Sequence, residues 1–265
     1  MSEKDKIKDD YFREEKSSML RSIGGLITFS TILPLNSYTS IEEMAKMTWF
    51  WPLIGAFIGV IGLIISYFLL EILFLPSLVV AAISYSFFLI INGFHHMDGL
   101  IDFGDAIMVH GSPEEKITVM RDSMIGTGGI AIFFIVAIIT VSTLNSILAI
   151  GIISPIIICE MSAKIGLLSS CISSKPGPDG TGKYFIKSMT ISKFIIALIL
   201  AIAISYLLAS FIGVFGVLGG VFGGAFMSYI SEKNFKIATG DVLGASNEVG
   251  RMFSLLTMII ALIWI

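Results

Sequence analysis

The sequence predicts an all-α, polytopic membrane protein: one domain over residues 1–265 with about seven transmembrane helices and an N-terminal interfacial or re-entrant segment. The mean hydropathy is +0.91 and only 14% of the residues are charged, which the surface of a water-soluble domain does not tolerate. Apolar runs of about 18 residues or more, enough to cross roughly 30 Å of hydrocarbon as helix, recur along the whole chain. A soluble domain with a single anchor is therefore excluded.

The chain starts with a polar arm and a short apolar segment. Residues 1–20 carry charges of both signs and lack the apolar core of a signal peptide, which predicts a cytosolic arm. Residues 22–35 are apolar, but they are too few to span a bilayer and they end beside Pro34. They are more typical of an interfacial or re-entrant segment than of a span.

The remaining apolar segments give the predicted spans, at about 49–71, 76–93, 125–145, 148–171, 190–210, 211–230 and 250–265. With a cytosolic amino terminus, the cytosolic loops are 36–48, 94–124, 172–189 and 231–249. The arm and these loops with their flanks then hold every Lys and Arg except Lys164. This bias predicts a multi-pass protein of the cell membrane whose polar motifs face the cytoplasm.

The first polar motif is HHMDGLIDFGDA, residues 95–106. On a helix Asp98, Asp102 and Asp105 share one narrow stripe. Like charges this close repel each other unless a cation neutralises them, and a divalent metal with oxygen ligands is the natural choice. Gly99 would let a phosphate approach the backbone. An exposed acidic turn between two spans is the alternative.

A second acidic motif, TGDVLGASNEVGR, occupies residues 239–251. Asp241 and Glu248 lie seven residues apart and fall on one helix face. Two acidic stripes at the same membrane edge predict a shared metal site. A solvated helix leading into the membrane is the alternative.

Basic and glycine-rich segments could bind phosphate. Arg121 and Asp122 precede a Gly/Thr run that opens a membrane helix, where backbone N–H groups and a guanidinium favour phosphate; a packing turn explains the glycines equally simply. GPDGTGK, residues 177–183, imitates a nucleotide-binding loop but lacks the preceding strand and the following Ser or Thr. Lys175 and Lys183 nevertheless predict contacts with substrate phosphates.

Two further features are ambiguous. His95 and His96 are each suited to act as a general base or to donate to a phosphate, and ideal helical geometry favours His95. Glu160 and Lys164 form an i,i+4 pair inside a predicted span, where charge is expensive. Such a pair is either structural or part of an ion-coupled transporter.

Three stretches, HMDGLIDFGDA, VMRDSMIGTGG and GDVLGASNE, resemble the signature stretches of the cobalamin synthase (adenosylcobinamide-GDP ribazoletransferase) family. TFSTILPL and WFWPLIGAFIG resemble its amino-terminal pattern, so the resemblance runs from about residue 20 to 256. The pattern favours His96 over His95. The matching residues are His96, Asp98, Gly99, Asp102, Asp105, Arg121, Asp122, Gly126, Thr127, Asp241, Gly244, Asn247 and Glu248.

The resemblance implies that the ribose hydroxyl of α-ribazole, or of its 5′-phosphate, attacks the cobinamide-linked phosphate of adenosylcobinamide-GDP, with release of GMP and with Mg²⁺ as cofactor. The expected catalytic residues are His96, Asp98, Asp102, Asp105, Arg121 and Asp122. The expected substrate contacts are Gly99, Gly126, Thr127, Lys175, Lys183 and Asn247. The expected metal ligands are Asp98, Asp102, Asp105, Asp241 and Glu248.

Other classes of protein compete with this interpretation. CDP-alcohol phosphotransferases carry out similar chemistry, but their pattern continues with Ala-Arg after the Asp-Gly pair, which this chain lacks after Asp98 and Gly99. An ion-coupled transporter would need a repeat that the sequence does not show, and a purely structural subunit would leave the acidic stripes unexplained. The net charge of −3 argues against nucleic acid. The expected partners are the two substrates and the lipid bilayer, and a homo-oligomer is left open.

Overall fold

The structure is a computed structural model that describes residues 19–35, 37 and 39–264. Within that part of the chain the regular structure is helical, and pairing of extended backbone is limited to one isolated parallel bridge between Pro176 and Ala238. The helices, numbered from the first described one, are α1 (Met19–Ser30), α2 (Ile41–Lys46), α3 (Trp51–Tyr67), α4 (Ser77–Ile91), α5 (His95–Met108), α6 (Pro113–Met120), α7 (Thr127–Leu148), α8 (Pro155–Ser173), α9 (Gly182–Ser188), α10 (Ile191–Phe235) and α11 (Gly240–Trp264). The predicted all-α membrane fold is confirmed.

Five described helices are long and apolar enough to cross a membrane, and the bent pair of α4 and α5 raises the number to six if it counts as one broken span. The five are Thr48–Ile72, which includes α3, and α7, α8, α10 and α11. The predicted count of seven is not confirmed. One reason is that α4 is only 15 residues long and is followed by a bend of 93°.

Helix α10 is interrupted in its middle. Ala209 and Ser210 have non-helical backbone angles, and a Cβ on Gly213 would collide with the carbonyl oxygen of Ser205. Eight residues of straight helix would separate these two positions by about 12 Å. The chain therefore folds back on itself here, at the boundary that the sequence predicts between 190–210 and 211–230.

Helix α1 covers most of the predicted interfacial segment. It is 12 residues long and ends at Ser30, before Pro34, so it is not among the helices that could span. The Trp51 indole N–H donates to the Ser30 hydroxyl at 2.6 Å, and the Ile32 N–H donates to the Ile91 carbonyl at 2.9 Å. These bonds hold the segment against α3 and α4. The predicted cytosolic arm lies almost wholly outside the described residues.

Helix α8 forms the centre of the bundle. Its residues from Pro155 to Cys171 are all buried, and small residues let α10 and α11 approach it closely. A Cβ on Gly166 would lie 3.0 Å from Gly250 and 3.0 Å from the Gly220 carbonyl oxygen, so these three glycines set the helix separation. Helix α11 begins at Gly240, ten residues before the predicted start of the last span at 250, because the 241–248 motif is buried against its neighbours.

Candidate active site

The site begins at a sharp break between α4 and α5. Gly93 and Phe94 both adopt left-handed backbone angles, with φ of 62° and 60°. Glycine takes this conformation readily, whereas a residue with a Cβ does so at a cost. Helix α5 therefore starts at His95 in a new direction, and its first turn carries both histidines and Asp98.

Two glycines bring the acidic motifs together. A Cβ on Gly99 would lie 2.8 Å from the Asp241 carbonyl oxygen, and one on Gly244 would lie 3.3 Å from the Cα of His96. Helices α5 and α11 thus touch through their backbones at this point. Gly99 therefore serves helix packing, and its contact with a phosphate stays a prediction. Asp98 and Asp241 line the same cavity.

The carboxylates of this site repel one another. Helix α5 lies outside the five helices that can span alone, and Asp102 on it is half-buried. Burial, together with the charges of Asp98, Asp241 and Asp105, raises the pKa of Asp102 to about 7. A cation beside Asp102 would relieve this repulsion.

Asp105 faces backbone amides. Its carboxylate accepts hydrogen bonds from the Gly126 and Gly129 N–H groups, at 2.7 and 2.8 Å. These amides open α7, where a negative charge also interacts favourably with the helix dipole. Asp105 therefore joins the 95–106 and 120–129 motifs, with Gly126 as its partner and Thr127 exposed beside it.

Glu248 and Asn247 lie deeper in α11. Glu248 is seven residues beyond Asp241, about 10 Å along the helix, and it is 1% exposed. It forms an ion pair with Arg251 and accepts a hydrogen bond from the Tyr85 hydroxyl at 3.1 Å. Asn247 is fully buried and accepts from the Lys164 ammonium at 3.1 Å. Neither residue lines the cavity.

Both side chains belong to a buried charge network, formed by Tyr85, Asn92, Glu160, Lys164, Asn247, Glu248 and Arg251. Arg251 donates to one oxygen of Glu160 from two nitrogens, at 3.0 and 2.7 Å. The other oxygen accepts from Asn92 at 3.0 Å and lies 3.4 Å from the Lys164 ammonium. The two carboxylates of the network are balanced by its two cations, Lys164 and Arg251, and this balance lowers the free-energy cost of burying the charges. The sequence indicated the Glu160–Lys164 pair of this network, and it assigned Asn247 and Glu248 to the substrate and metal site instead.

The described residues contain no ready-made group of three or more His, Cys, Asp or Glu side chains that could hold a metal ion. Of the five predicted ligands, Asp105 and Glu248 are engaged elsewhere. Asp98, Asp102 and Asp241 act electrostatically on one another. Their all-oxygen donor set is the kind that Mg²⁺ prefers.

Both histidines line the cavity. His95 is exposed, whereas His96 is half-buried and its Nδ1 has no hydrogen-bond partner in the described structure. Burial and the nearby charges of Lys164 and Arg251 hold the pKa of His96 well below its usual range. The neutral form of His96, which can accept a proton, is therefore favoured.

The loop residues of the predicted site do not line the cavity, but the first of them, Arg121, lies at its rim. Arg121 is exposed, 3.7 Å from Asp179, and its charge reaches Asp241. Asp122 accepts from the Met124 N–H at 3.1 Å and so closes its own turn. Lys175 pairs with Glu232 at 3.1 Å.

Lys183 does not line the cavity either. Its ammonium donates to the Pro178 carbonyl at 3.2 Å, whereas the preceding Thr181 and Gly182 are lining residues. Gly182 reaches the cavity wall because it packs closely on Gly240. A Cβ on Gly182 would lie 2.6 Å from the Gly240 nitrogen.

The cavity has a volume of about 540 Å³. One end is polar and holds His95, His96, Asp98 and Asp241. The other end carries three aromatic side chains that were not among the expected site residues, Phe29, Trp51 and Phe185, with hydroxyls of Thr28, Ser30 and Thr181 and the apolar Leu167 and Leu243. Such a cavity suits a molecule with a charged part and a flat apolar part.

Sequence comparisons identify relatives that match nearly the whole chain. Proteins named adenosylcobinamide-GDP ribazoletransferase from Methanosarcina mazei and Methanosarcina barkeri are 30% and 31% identical, each over 93% of this chain and 94% of the relative. One of the same name from Picrophilus torridus is 36% identical, over 91% of this chain and 98% of its own length. No solved structure matches the chain. The family model described as Cobalamin-5-phosphate synthase matches residues 22–259, and the chain belongs to this family.

Proposed function

We propose that the protein joins adenosylcobinamide-GDP to α-ribazole, or to its 5′-phosphate, and releases GMP. The name shared by the relatives supports this reaction. The observation that carries it is the convergence of Asp98 and Asp241, from two distant motifs, on one cavity. Transfer of a phosphoryl group from a diphosphate to a nucleoside needs carboxylates that can hold a cation beside the reacting phosphate.

In the proposed reaction the ribose hydroxyl oxygen forms a bond to the phosphorus attached to cobinamide. The bond from that phosphorus to the bridging oxygen breaks, and GMP leaves with the electron pair. The hydroxyl proton passes to a base. His96 is our candidate, because its neutral form is favoured and its Nδ1 is unpartnered.

Asp98, Asp102 and Asp241 are the proposed ligands of Mg²⁺. A bound magnesium ion would supply neutralisation of the diphosphate charge. Arg121, exposed at the rim and within electrostatic reach of Asp241, is placed to neutralise the leaving GMP. Asp105 positions the start of α7, and Glu248 holds the buried charge network.

We further propose that the cavity faces the cytoplasm in the cell membrane. The apolar helices support a multi-pass membrane protein. The orientation follows from the basic residues of the loops at 94–124, 172–189 and 231–249, which surround the cavity and belong on the cytosolic side.

The reaction is tested with purified protein in lipid nanodiscs, given adenosylcobinamide-GDP, α-ribazole and Mg²⁺. We expect GMP release that stops on addition of EDTA and that falls at least about 100-fold in Asp98→Asn and Asp102→Asn. Glu232→Gln, the same chemical change at an exposed carboxylate paired with Lys175, should keep the wild-type rate. Absence of GMP release, or equal rates in all three variants, would contradict the proposal.

The two alternative functions, an ion-coupled transporter and a CDP-alcohol phosphotransferase, are not favoured. The Glu160–Lys164 pair that suggests a transporter is completed by Arg251 and Asn92 and is sealed from solvent, so a structural role accounts for it. The match over 22–259 to a different family removes the reason to consider a CDP-alcohol phosphotransferase.

A further inference from the structure

The aromatic end of the cavity has no part in the reaction described so far. Phe29 of α1, Trp51 of α3 and Phe185 of α9 come from three short or distant segments, yet their rings cluster. The ring centroids of Phe29 and Trp51 lie 5.1 and 5.0 Å from that of Phe185. We call these three residues the aromatic wall.

The aromatic wall is rigid and partly open. Trp51 and Phe185 are 4% and 2% exposed, so they are fixed in the core, whereas Phe29 is 38% exposed. The Trp51 indole is anchored by its bond to Ser30. A flat ligand that stacks on Phe29 would meet a surface that is already ordered, so little conformational entropy is lost on binding.

The wall lies next to the acidic residues. Phe185 is one helical turn beyond Gly182, and Gly182 packs directly on the backbone of Gly240, which precedes Asp241. A nucleoside can therefore place its base on the wall and its ribose near the carboxylates. The corrin part of the donor is too large for a cavity of about 540 Å³ and has to lie outside.

The polar groups at the aromatic end of the cavity indicate which of the two nucleobases in the reaction, guanine or the base of α-ribazole, fits there. The Thr28 hydroxyl donates to the Gly24 carbonyl, and the Ser30 hydroxyl donates to the Leu26 carbonyl and accepts from Trp51. Among the described lining residues at the aromatic end, this leaves the Thr181 hydroxyl as the side chain that can contact the edge of a base. Guanine would leave several hydrogen-bond donors and acceptors unpaired at this end of the cavity. The base of α-ribazole is a benzimidazole, which has one free ring nitrogen when it is attached to ribose.

We propose that the aromatic wall binds the flat, largely apolar base of the acceptor nucleoside, with its ribose directed towards Asp98 and Asp241. This assignment rests on the proposed function for the identity of the acceptor. It places the guanine of the donor elsewhere, towards the exposed rim that carries Arg121.

Binding is measured without turnover, by calorimetric titration of the full-length protein in nanodiscs with α-ribazole or with GMP. We expect Phe29→Ala to weaken α-ribazole binding about tenfold or more, Phe29→Trp to retain it, and neither variant to change GMP binding more than about twofold. Phe57→Ala removes a ring of α3 that is 56% exposed outside the cavity, and it should change neither affinity. Phe29→Leu, which keeps an apolar side chain, should also weaken α-ribazole binding, which guards against a folding defect in Phe29→Ala.

Other results of the same titrations would contradict the assignment of the wall to the acceptor base. Loss of GMP affinity with unchanged α-ribazole affinity would assign the wall to the donor, and unchanged affinity for both, or no α-ribazole binding by the wild type, would overturn the inference. If α-ribazole binds through Phe29 but no GMP is released in the full reaction, the proposed function fails and the assignment of the wall stands.

Discussion

Asp102 and Asp105 lie one helical turn apart on α5 and meet opposite surroundings. Asp105 accepts two hydrogen bonds from amides that open α7, so its charge is stabilised. Asp102 faces other carboxylates, which together with burial raise its pKa. Within one stripe of identical side chains, Asp105 is therefore held by backbone amides, whereas Asp102 faces other carboxylates.

This contrast predicts opposite effects on stability. In EDTA, Asp102→Asn should raise the unfolding temperature, because it removes a charge that the folded state disfavours. Asp105→Ala should lower the free energy of unfolding by about 1 kcal/mol, because two amides lose their acceptor. Thermal unfolding in detergent would measure both. A lower unfolding temperature for Asp102→Asn would show that its charge is compensated in the folded protein.

The buried charge network predicts a larger effect. Arg251→Met would leave Glu160 and Glu248 buried with one cation between them, and breaking a buried pair costs about 3–5 kcal/mol. Lys175→Met breaks an exposed pair with Glu232 and should cost at most about 1 kcal/mol. Urea unfolding of both variants provides the comparison. Equal losses would mean that water reaches Glu160.

The sequence indicated candidate site residues where a motif repeats one chemical group. Asp98, Asp102 and Asp241 became candidates because several acids at helical spacing need an explanation. Arg251 and Asn92 were missed as partners of Glu160, since they lie 91 and 68 residues away from it along the chain. Phe29 lies in the TFSTILPL stretch, but it was not an expected site residue, because one more aromatic residue in an apolar chain does not by itself indicate a ligand contact.

At the scale of elements, the break between α4 and α5 determines which side chains reach the cavity. Ideal helical geometry favoured His95 and the family pattern favoured His96. The structure puts both in the first turn of α5, and both line the cavity. Periodicity could not show this, because the direction of a helix start depends on the two left-handed residues before it.

Gly93→Ala tests the importance of this break. The added Cβ at a φ of 62° should cost about 1–2 kcal/mol of stability, and it would approach the His95 ring at 3.1 Å. Gly151→Ala, at a φ of 80° in open space between α7 and α8, should cost a similar amount of stability. We expect only Gly93→Ala to slow GMP release at full substrate saturation. Equal rates in the two variants would mean that α5 tolerates a shift at its start.

At the scale of the whole molecule, hydropathy predicted the fold class and most span boundaries, and it placed the fold-back of α10. The predicted number of seven spans is not confirmed. Helix α10 counts as one long apolar helix although it folds back, and α4 and α5 form a pair that is bent by 93°. The composition of a segment shows how apolar it is, but the direction of the helix depends on how it packs against its neighbours.

The proposed orientation predicts a labelling pattern. Pro178→Cys lies in an exposed loop beside the cavity, and Ile150→Cys lies in the turn between α7 and α8 and is 62% exposed in the wild type. A membrane-impermeant maleimide should label Ile150→Cys in intact cells and Pro178→Cys only after the membrane is opened. The native Cys159 and Cys171 are buried and should not react. The reverse pattern would put the cavity on the outer side.

The buried charge network also constrains how the chain is assembled during synthesis. Glu160 enters the membrane about ninety residues before Arg251 is made, and until then its cationic partner is Lys164, one turn further along the same helix. This local pair lowers the cost of placing Glu160 in the membrane before its second cation exists. The charges of the network balance only once α11 has been made, and the same helix brings Asp241 to the cavity.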